Sequence, residues 1–140
     1  AVYFDSSAFV KLFVPEVGSA LVAELWDGCD LAVSSRLAYP EVTAALAAAG
    51  RRSRAAASRS GRAIDEWASV WSDVRPVELT RSVEHAAGDC ARRFDLSGAD
   101  AVHLASALAL GDPSVVMATY DRRLSGAALA AGLRVVPATI

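Results

Sequence analysis

The chain has 140 residues, about the size of one domain, and 54% of them are apolar, enough to bury a core without disulfides or structural metal. Its two cysteines, Cys29 and Cys90, make no disulfide framework and fit no zinc spacing, so they are expected as small core residues in a reducing compartment. A formal charge of −2 gives no whole-molecule field that by itself announces a nucleic-acid binder, but the cations are lopsided: thirteen Arg stand against one Lys, Lys11, and five of the Arg fall between Arg51 and Arg62.

Five short apolar runs punctuate the chain: AVYF (1–4), DLAVS (30–34), PVEL (76–79), VVMAT (115–119) and RVV (134–136). Each is rich in Val or aromatics and bounded by polar or turn residues, the pattern of buried parallel strands. Helical spacing fills the intervals. The first crossover carries a helix from about Ser7 to Phe13, stopped before Pro15, and another from about Val17 to Trp26. The second carries a helix from about Ser35 to Ala49, a basic turn around Gly50, and a helix from about Ala55 to Val74. Pro40 suits only a first helical turn, so the former helix is expected to start near Tyr39 or to bend at Pro40. Thr80 caps a helix reaching about Phe94. A helix from Ser97 or Gly98 to Leu110 follows, and a last one runs from about Arg122 to Ala131. This alternation argues for one α/β domain spanning residues 1–140, with a central parallel sheet flanked by helices on both faces, an α/β/α sandwich.

The apolar start reaches Asp5 with no basic region before it, unlike a secretory leader. No apolar run approaches the about 20 residues of a membrane span. The expectation is a soluble, cytoplasmic protein.

Ligands of an open parallel sheet bind beyond the carboxyl ends of its strands. Asp5 closes the first strand. Asp121 lies two residues after Thr119, which ends the fourth. Glu41 lies early in the helix leaving the second strand, and Asp100 early in a helix whose far end feeds the fourth. All four acids can therefore meet at one edge. Carboxylates a few ångströms apart repel and take up protons unless a cation neutralises them. An all-oxygen set suits a hard divalent ion, Mg²⁺ first, with Mn²⁺ as a substitute. Such an ion stabilises charge on a phosphate and lowers the pKa of an attacking water, the chemistry of phosphodiester hydrolysis.

Each residue also has a plainer role. Asp5 and Asp121 can cap the helices they precede, Asp100 can oppose a helix dipole, and Glu41 can sit solvated on the surface. Ser7 and Thr119 can orient the neighbouring carboxylates, hold a water, contact phosphate, or cap. His103 shares the helical face of Asp100 but fits a packed, hydrogen-bonded core residue better than a general base. His85 has no constellation around it.

These segments, YFDSSAFVKLFVPE, SRLAYPEV, LSGADAVHLASAL and ATYDRRL, resemble the PIN-domain ribonucleases, and most of all the VapC toxins of VapBC toxin–antitoxin modules. The resemblance runs from Val2 to Val136. It implies a Mg²⁺- or Mn²⁺-dependent endoribonuclease whose acidic positions are Asp5, Glu41, Asp100 and Asp121 and whose hydroxyl positions are Ser7 and Thr119. Asp5, Asp100 and Asp121 would hold the ion, and Glu41 would position a water or a second ion. The resemblance further implies an RNA substrate, a cognate VapB-type antitoxin and a homodimer. Phe9, Phe13, Leu21, Leu25 and Trp26 of the first crossover offer an apolar groove for a partner helix, with core packing preferred for most of them. Phosphate contacts are expected from Arg51, Arg52 and Arg54, or from Arg122 and Arg123 beside Asp121. Two other classes stay open: a non-catalytic PIN-like scaffold that binds RNA or protein, and a phosphotransfer domain with Asp5 as nucleophile.

Overall fold

The structure, a computed structural model, describes residues 1–140. Its strands are β1 (Val2–Phe4), β2 (Ala32–Ser35), β3 (Arg75–Val77), β4 (Val116–Ala118) and β5 (Arg134–Val136). Its helices are α1 (Ser6–Val10), α2 (Ser19–Gly28), α3 (Ala38–Ala49), α4 (Arg54–Ser72), α5 (Arg81–Phe94), α6 (Gly98–Leu108) and α7 (Arg122–Ala130), with a 3₁₀ turn at Gly50–Arg52. All strand pairs are parallel, in the order β3-β2-β1-β4-β5.

The period of two along each strand decides the layers. Tyr3, Val33 and Met117 point to one face, where they meet Leu104 of α6, Val83 of α5 and Leu124 of α7. Phe4, Ala32 and Ala118, their chain neighbours, point to the other, where they meet Phe9 of α1, Val42 and Leu46 of α3 and Trp67 of α4. The sandwich thus has α5–α7 on one side and α1, α3 and α4 on the other. Rings dominate the second side: Trp67 is fully buried against Phe9, Phe13, Tyr39 and Trp71.

Several boundaries differ from the sequence reading, and β3 and α1 show why, while α3 starts close to the expected Tyr39. β3 is Arg75–Val77 rather than 76–79, and Leu79 is exposed. It is an edge strand, the one place in a sheet where Pro76 removes no needed donor. α1 ends at Val10 because Lys11, Leu12 and Phe13 bond carbonyls three residues back, tightening the chain well before Pro15. α3 starts at Ala38, so Pro40 falls in its first turn, where a missing N–H breaks no helical bond. The N–H of Glu41 already bonds Leu37 O at 3.2 Å, and no bend is needed to keep Glu41 in the helix.

The strand order creates the crevice the site uses. The chain leaves β1 for β2 on one side, then returns from β3 across the sheet to β4 on the other. Ligand sites of open sheets lie outside such a reversal, at the carboxyl ends of the two central strands. Here those ends are Phe4-Asp5 and Ala118-Thr119.

Trp67→Ala empties the centre of the ring cluster and should lower stability by about 3–5 kcal/mol in urea unfolding, as truncation of a buried large aromatic does.

Candidate active site

Asp5 stands where β1 stops. Its N–H completes the ladder to Ala118 O at 3.1 Å, and its side chain turns back to cap α1. Oδ1 accepts from Ser7 Oγ at 2.7 Å and from the Ala8 N–H at 2.9 Å, and Oδ2 accepts from Thr119 Oγ1 at 2.5 Å. The Asp121 N–H in turn donates to Thr119 Oγ1 at 3.1 Å, and the Tyr120 N–H to Ser7 Oγ at 2.8 Å. The ends of β1 and β4 are therefore stitched together through side chains. Burial pushes the Asp5 carboxyl above its ordinary value, against the pull of Thr119, Ser7, His103 and the Ala8 amide.

Asp121 caps α7, with Oδ1 accepting from the Leu124 N–H at 2.8 Å. Asp100 lies in the first turn of α6, which Ser97 caps. Burial raises the Asp100 carboxyl and the charges of Asp121 and Glu41 raise it further, against the Ser97 hydroxyl and His103. Glu41, in the first turn of α3, is half-buried rather than solvated. Its Oε1 accepts from Ser6 Oγ at 2.8 Å and stands 2.7 Å from His103 Nε2. Burial pushes this carboxyl up, but the imidazole and the Ser6 hydroxyl outweigh it and hold Glu41 below its usual range.

The plainer roles and the site roles thus coexist: Asp5 and Asp121 are both helix caps, and each spends Oδ1 on its cap. His103 is 2% exposed and hydrogen-bonded at both ring nitrogens, the packed residue its helix suggested.

The four acids come from four distant segments, with Asp5 tied to the Asp121 amide through Thr119 and Glu41 tied to α6, the helix of Asp100, through His103. No three of the His, Cys, Asp and Glu side chains close into a metal cage. The donors are nonetheless of the type a hard cation needs: all oxygen, mutually repelling, and with no Lys or Arg ion pair to any of the four. In donor chemistry, though not as a closed cage, they fit a hard divalent ion such as Mg²⁺ or Mn²⁺.

The arginines divide. Arg122 and Arg123 follow Asp121 directly, are exposed, and line a shallow pocket of about 410 Å³ with Phe94 and Asp95. Arg51, Arg52 and Arg54 are also exposed but lie beyond the far end of α3, about 15 Å from Glu41 at a helical rise of 1.5 Å per residue. The structure does not bring them to the acids.

Reading the chain missed Ser6 and Tyr3. Tyr3 carried a signal, because a tyrosine on a central strand must find a partner for its hydroxyl. Tyr120 is a further support. Its hydroxyl donates to Gly18 O at 3.2 Å, and the Lys11 ammonium lies 4.3 Å from its ring centroid. At Gly18, φ is +93° and a Cβ would stand 2.5 Å from the Tyr120 ring, so only glycine lets the 14–18 loop close on the segment that carries Thr119 and Asp121.

Comparison with known proteins agrees with this geometry. The family model of the PIN domain matches residues 2–129. The chain belongs to the PIN-domain family. Over 139 residues it is 60% identical to the ribonucleases VapC45 and VapC49 of two Mycobacterium tuberculosis strains, covering 99% of this chain and 96% of each relative. Ribonuclease VapC46 of M. tuberculosis is 35% identical over 136 residues, 97% of this chain and 96% of that protein. Among solved structures, M. tuberculosis VapC20, described as a sarcin–ricin loop cleaving toxin, superposes with a TM-score of 0.71 at 21% identity, over 91% of this chain and 95% of that one. PAE2754 of Pyrobaculum aerophilum gives 0.69 at 21% identity, over 96% and 88%.

A buried carboxyl with a raised pKa weakens the fold while ionised, because the native state binds its proton more tightly than the unfolded chain does. Asp5→Asn keeps an acceptor for the α1 cap. Without added divalent ion it should therefore melt higher than the parent protein at neutral pH. The difference should shrink as the pH falls through the raised Asp5 value, where the parent protein regains stability. Thermal unfolding at a series of pH values reads this directly.

Proposed function

We propose that this chain is a divalent-metal-dependent endoribonuclease, the toxin of a type II toxin–antitoxin module, with its site on the edge lined by Asp5, Glu41, Asp100 and Asp121. The observation that carries the reading is that side-chain bonds draw the acid-bearing segments together at the carboxyl ends of the central strands: Asp5 to the Asp121 amide through Thr119, and Glu41 to α6, the helix of Asp100, through His103. The 60% identity to VapC ribonucleases along nearly the whole chain supports it.

Asp5, Asp100 and Asp121 would hold Mg²⁺ or Mn²⁺, and Glu41 would hold a water or a second ion beside them. When bound, the ion neutralises the carboxylates, stabilises charge on the scissile phosphate and activates water for attack. The protein's own contribution is position. Thr119, Ser7 and the Ala8 amide lock Asp5, and the α7 cap fixes Asp121 against the same threonine. Water attacks in line and the 2′-hydroxyl takes no part, so the products carry 3′-hydroxyl and 5′-phosphate ends. A phosphotransfer domain with Asp5 as nucleophile is disfavoured, because Ser7 stands two residues on, where a second acid would serve that chemistry, and donates to Asp5 Oδ1. Lys11, the one lysine, is engaged by Glu16 and Val17 O.

A VapB-type antitoxin would dock on the α1, α3 and α4 side. There a groove of about 190 Å³ combines Phe13, Pro15 and Leu46 with Arg52 and Arg59, a lining suited to an apolar segment bearing acids. Phe9 is fully buried and contributes only to the core, whereas Phe13, Leu21, Leu25 and Trp26 are half-buried. No helix is long and apolar enough to cross a membrane. An RNA-cleaving toxin of this kind acts in the cytoplasm.

Mapping of cleaved RNA after induction should give 5′-phosphate ends with the wild type. Asp100→Asn should cut at least about a hundredfold more slowly, since losing a direct ligand exceeds the 10–100-fold effect of losing its supports. Cyclic 2′,3′-phosphate ends would remove the mechanism. For binding, Arg122→Ala and Arg123→Ala should each lower RNA affinity and reduce the salt slope by about one. Joint charge reversal at Arg51, Arg52 and Arg54 should weaken RNA binding while leaving cleavage at saturating RNA close to wild type, as expected for phosphate contacts away from the scissile bond. Binding unchanged across salt would refute that role.

A further inference from the structure

Glu41 receives two donors on one oxygen and none on the other: Ser6 Oγ and His103 Nε2 both address Oε1, while no hydrogen bond reaches Oε2. Behind His103 the chain of contacts continues inward. His103 Nδ1 lies 2.8 Å from the Tyr3 hydroxyl, which accepts the Ser35 N–H at 3.0 Å. Tyr3 is 0% exposed and His103 2%. Ser6 Oγ also lies 3.3 Å from His103 Nε2, farther than Glu41 Oε1 at 2.7 Å.

The direction of each bond follows from counting. Burial holds the Tyr3 phenol well above its ordinary value, so it keeps its hydrogen. Its oxygen already accepts from Ser35. The hydrogen has one acceptor in hydrogen-bonding geometry, His103 Nδ1, because the nearby Ser106 hydroxyl makes no hydrogen bond. Nδ1 is then an acceptor and the ring hydrogen sits on Nε2, pointing at Glu41 Oε1. A carboxylate oxygen can only accept, so the tautomer and the geometry agree.

We propose that Tyr3 and His103 form a buried positioning relay, anchored on the Ser35 amide, that fixes Glu41 so that Oε1 is held by the protein and Oε2 alone faces the acidic edge. This rests on the nuclease reading of that edge and adds to it a means by which Glu41 is oriented. Glu41 offers a single oxygen to a cation or its water, in one orientation. It never chelates through both. Tyr3 and His103 touch neither substrate nor ion. They belong to the sheet and to α6, the rigid parts of the fold, which is where support for a site is most exact. Supports of this kind shift metal affinity or activity about 10–100-fold when removed.

The test uses the full chain. ¹⁵N NMR of wild type should show His103 protonated on Nε2 and bare on Nδ1. Titration with Mn²⁺ alone, without RNA, should give an affinity about 10–100-fold weaker for His103→Leu. His103→Gln, whose amide can still donate to Glu41, should keep most of the wild-type affinity. With RNA, kcat should fall in His103→Leu with little change in KM. If His103→Leu does not fold, Ser6→Ala removes the other Oε1 donor from a half-exposed position and should shift Mn²⁺ affinity in the same direction. An Nδ1–H tautomer in wild type, or wild-type Mn²⁺ affinity in a folded His103→Leu, overturns the relay. A wild-type protein that neither binds Mn²⁺ nor cleaves RNA overturns the nuclease reading itself. A wild type that does both beside an equally capable His103→Leu overturns the relay alone.

Discussion

A carboxylate enclosed by protein at the end of the first strand is the constraint around which this molecule is arranged. Asp5 ends β1, starts α1 and is joined to β4 through Thr119, so one side chain ties three elements at a single point. Burying it works against the fold, since an ionised group loses its water there. The three hydrogen bonds it accepts offset part of that penalty, and what remains is the source of the raised pKa. The neighbouring hydroxyls explain themselves in the same way. Ser7 and Thr119 are needed to keep Asp5 tolerable, and in doing so they bind the Tyr120 and Asp121 amides and set the path of the chain into α7.

The same economy recurs at the other acids. Asp121 caps a helix with one oxygen and leaves the other for the crevice. Glu41 gives one oxygen to Ser6 and His103. Asp5 accepts through both of its oxygens, whereas Asp121 and Glu41 are each fixed through one.

Much of this was legible in the chain. Strand spacing and helix caps gave the layers, and the rule that ligands gather beyond the carboxyl ends of parallel strands pointed to the ends of β1 and β4, where Asp5 and Thr119 are bonded to one another. Thr80 as a cap and RVV as the last strand were read correctly from local signals alone. The misses have a common cause. The end of α1 and the extent of β3 depend on how neighbouring elements pack, and no local pattern reports that. Tyr3 and Ser6 were overlooked for a related reason. Their partners, His103 and Glu41, lie 100 and 35 positions away along the chain. A periodicity that assigns Tyr3 to the core says nothing of what its hydroxyl meets there.

The bond between Asp5 and Thr119 spans 114 positions. A ribosome making this protein produces the first half of that pair early and the second almost last. Until β4 has emerged beside β1 there is no crevice, and the carboxyl that will line it has only its own helix to hold it. N-terminal fragments from stalled or interrupted translation are thus incapable of the assembled chemistry.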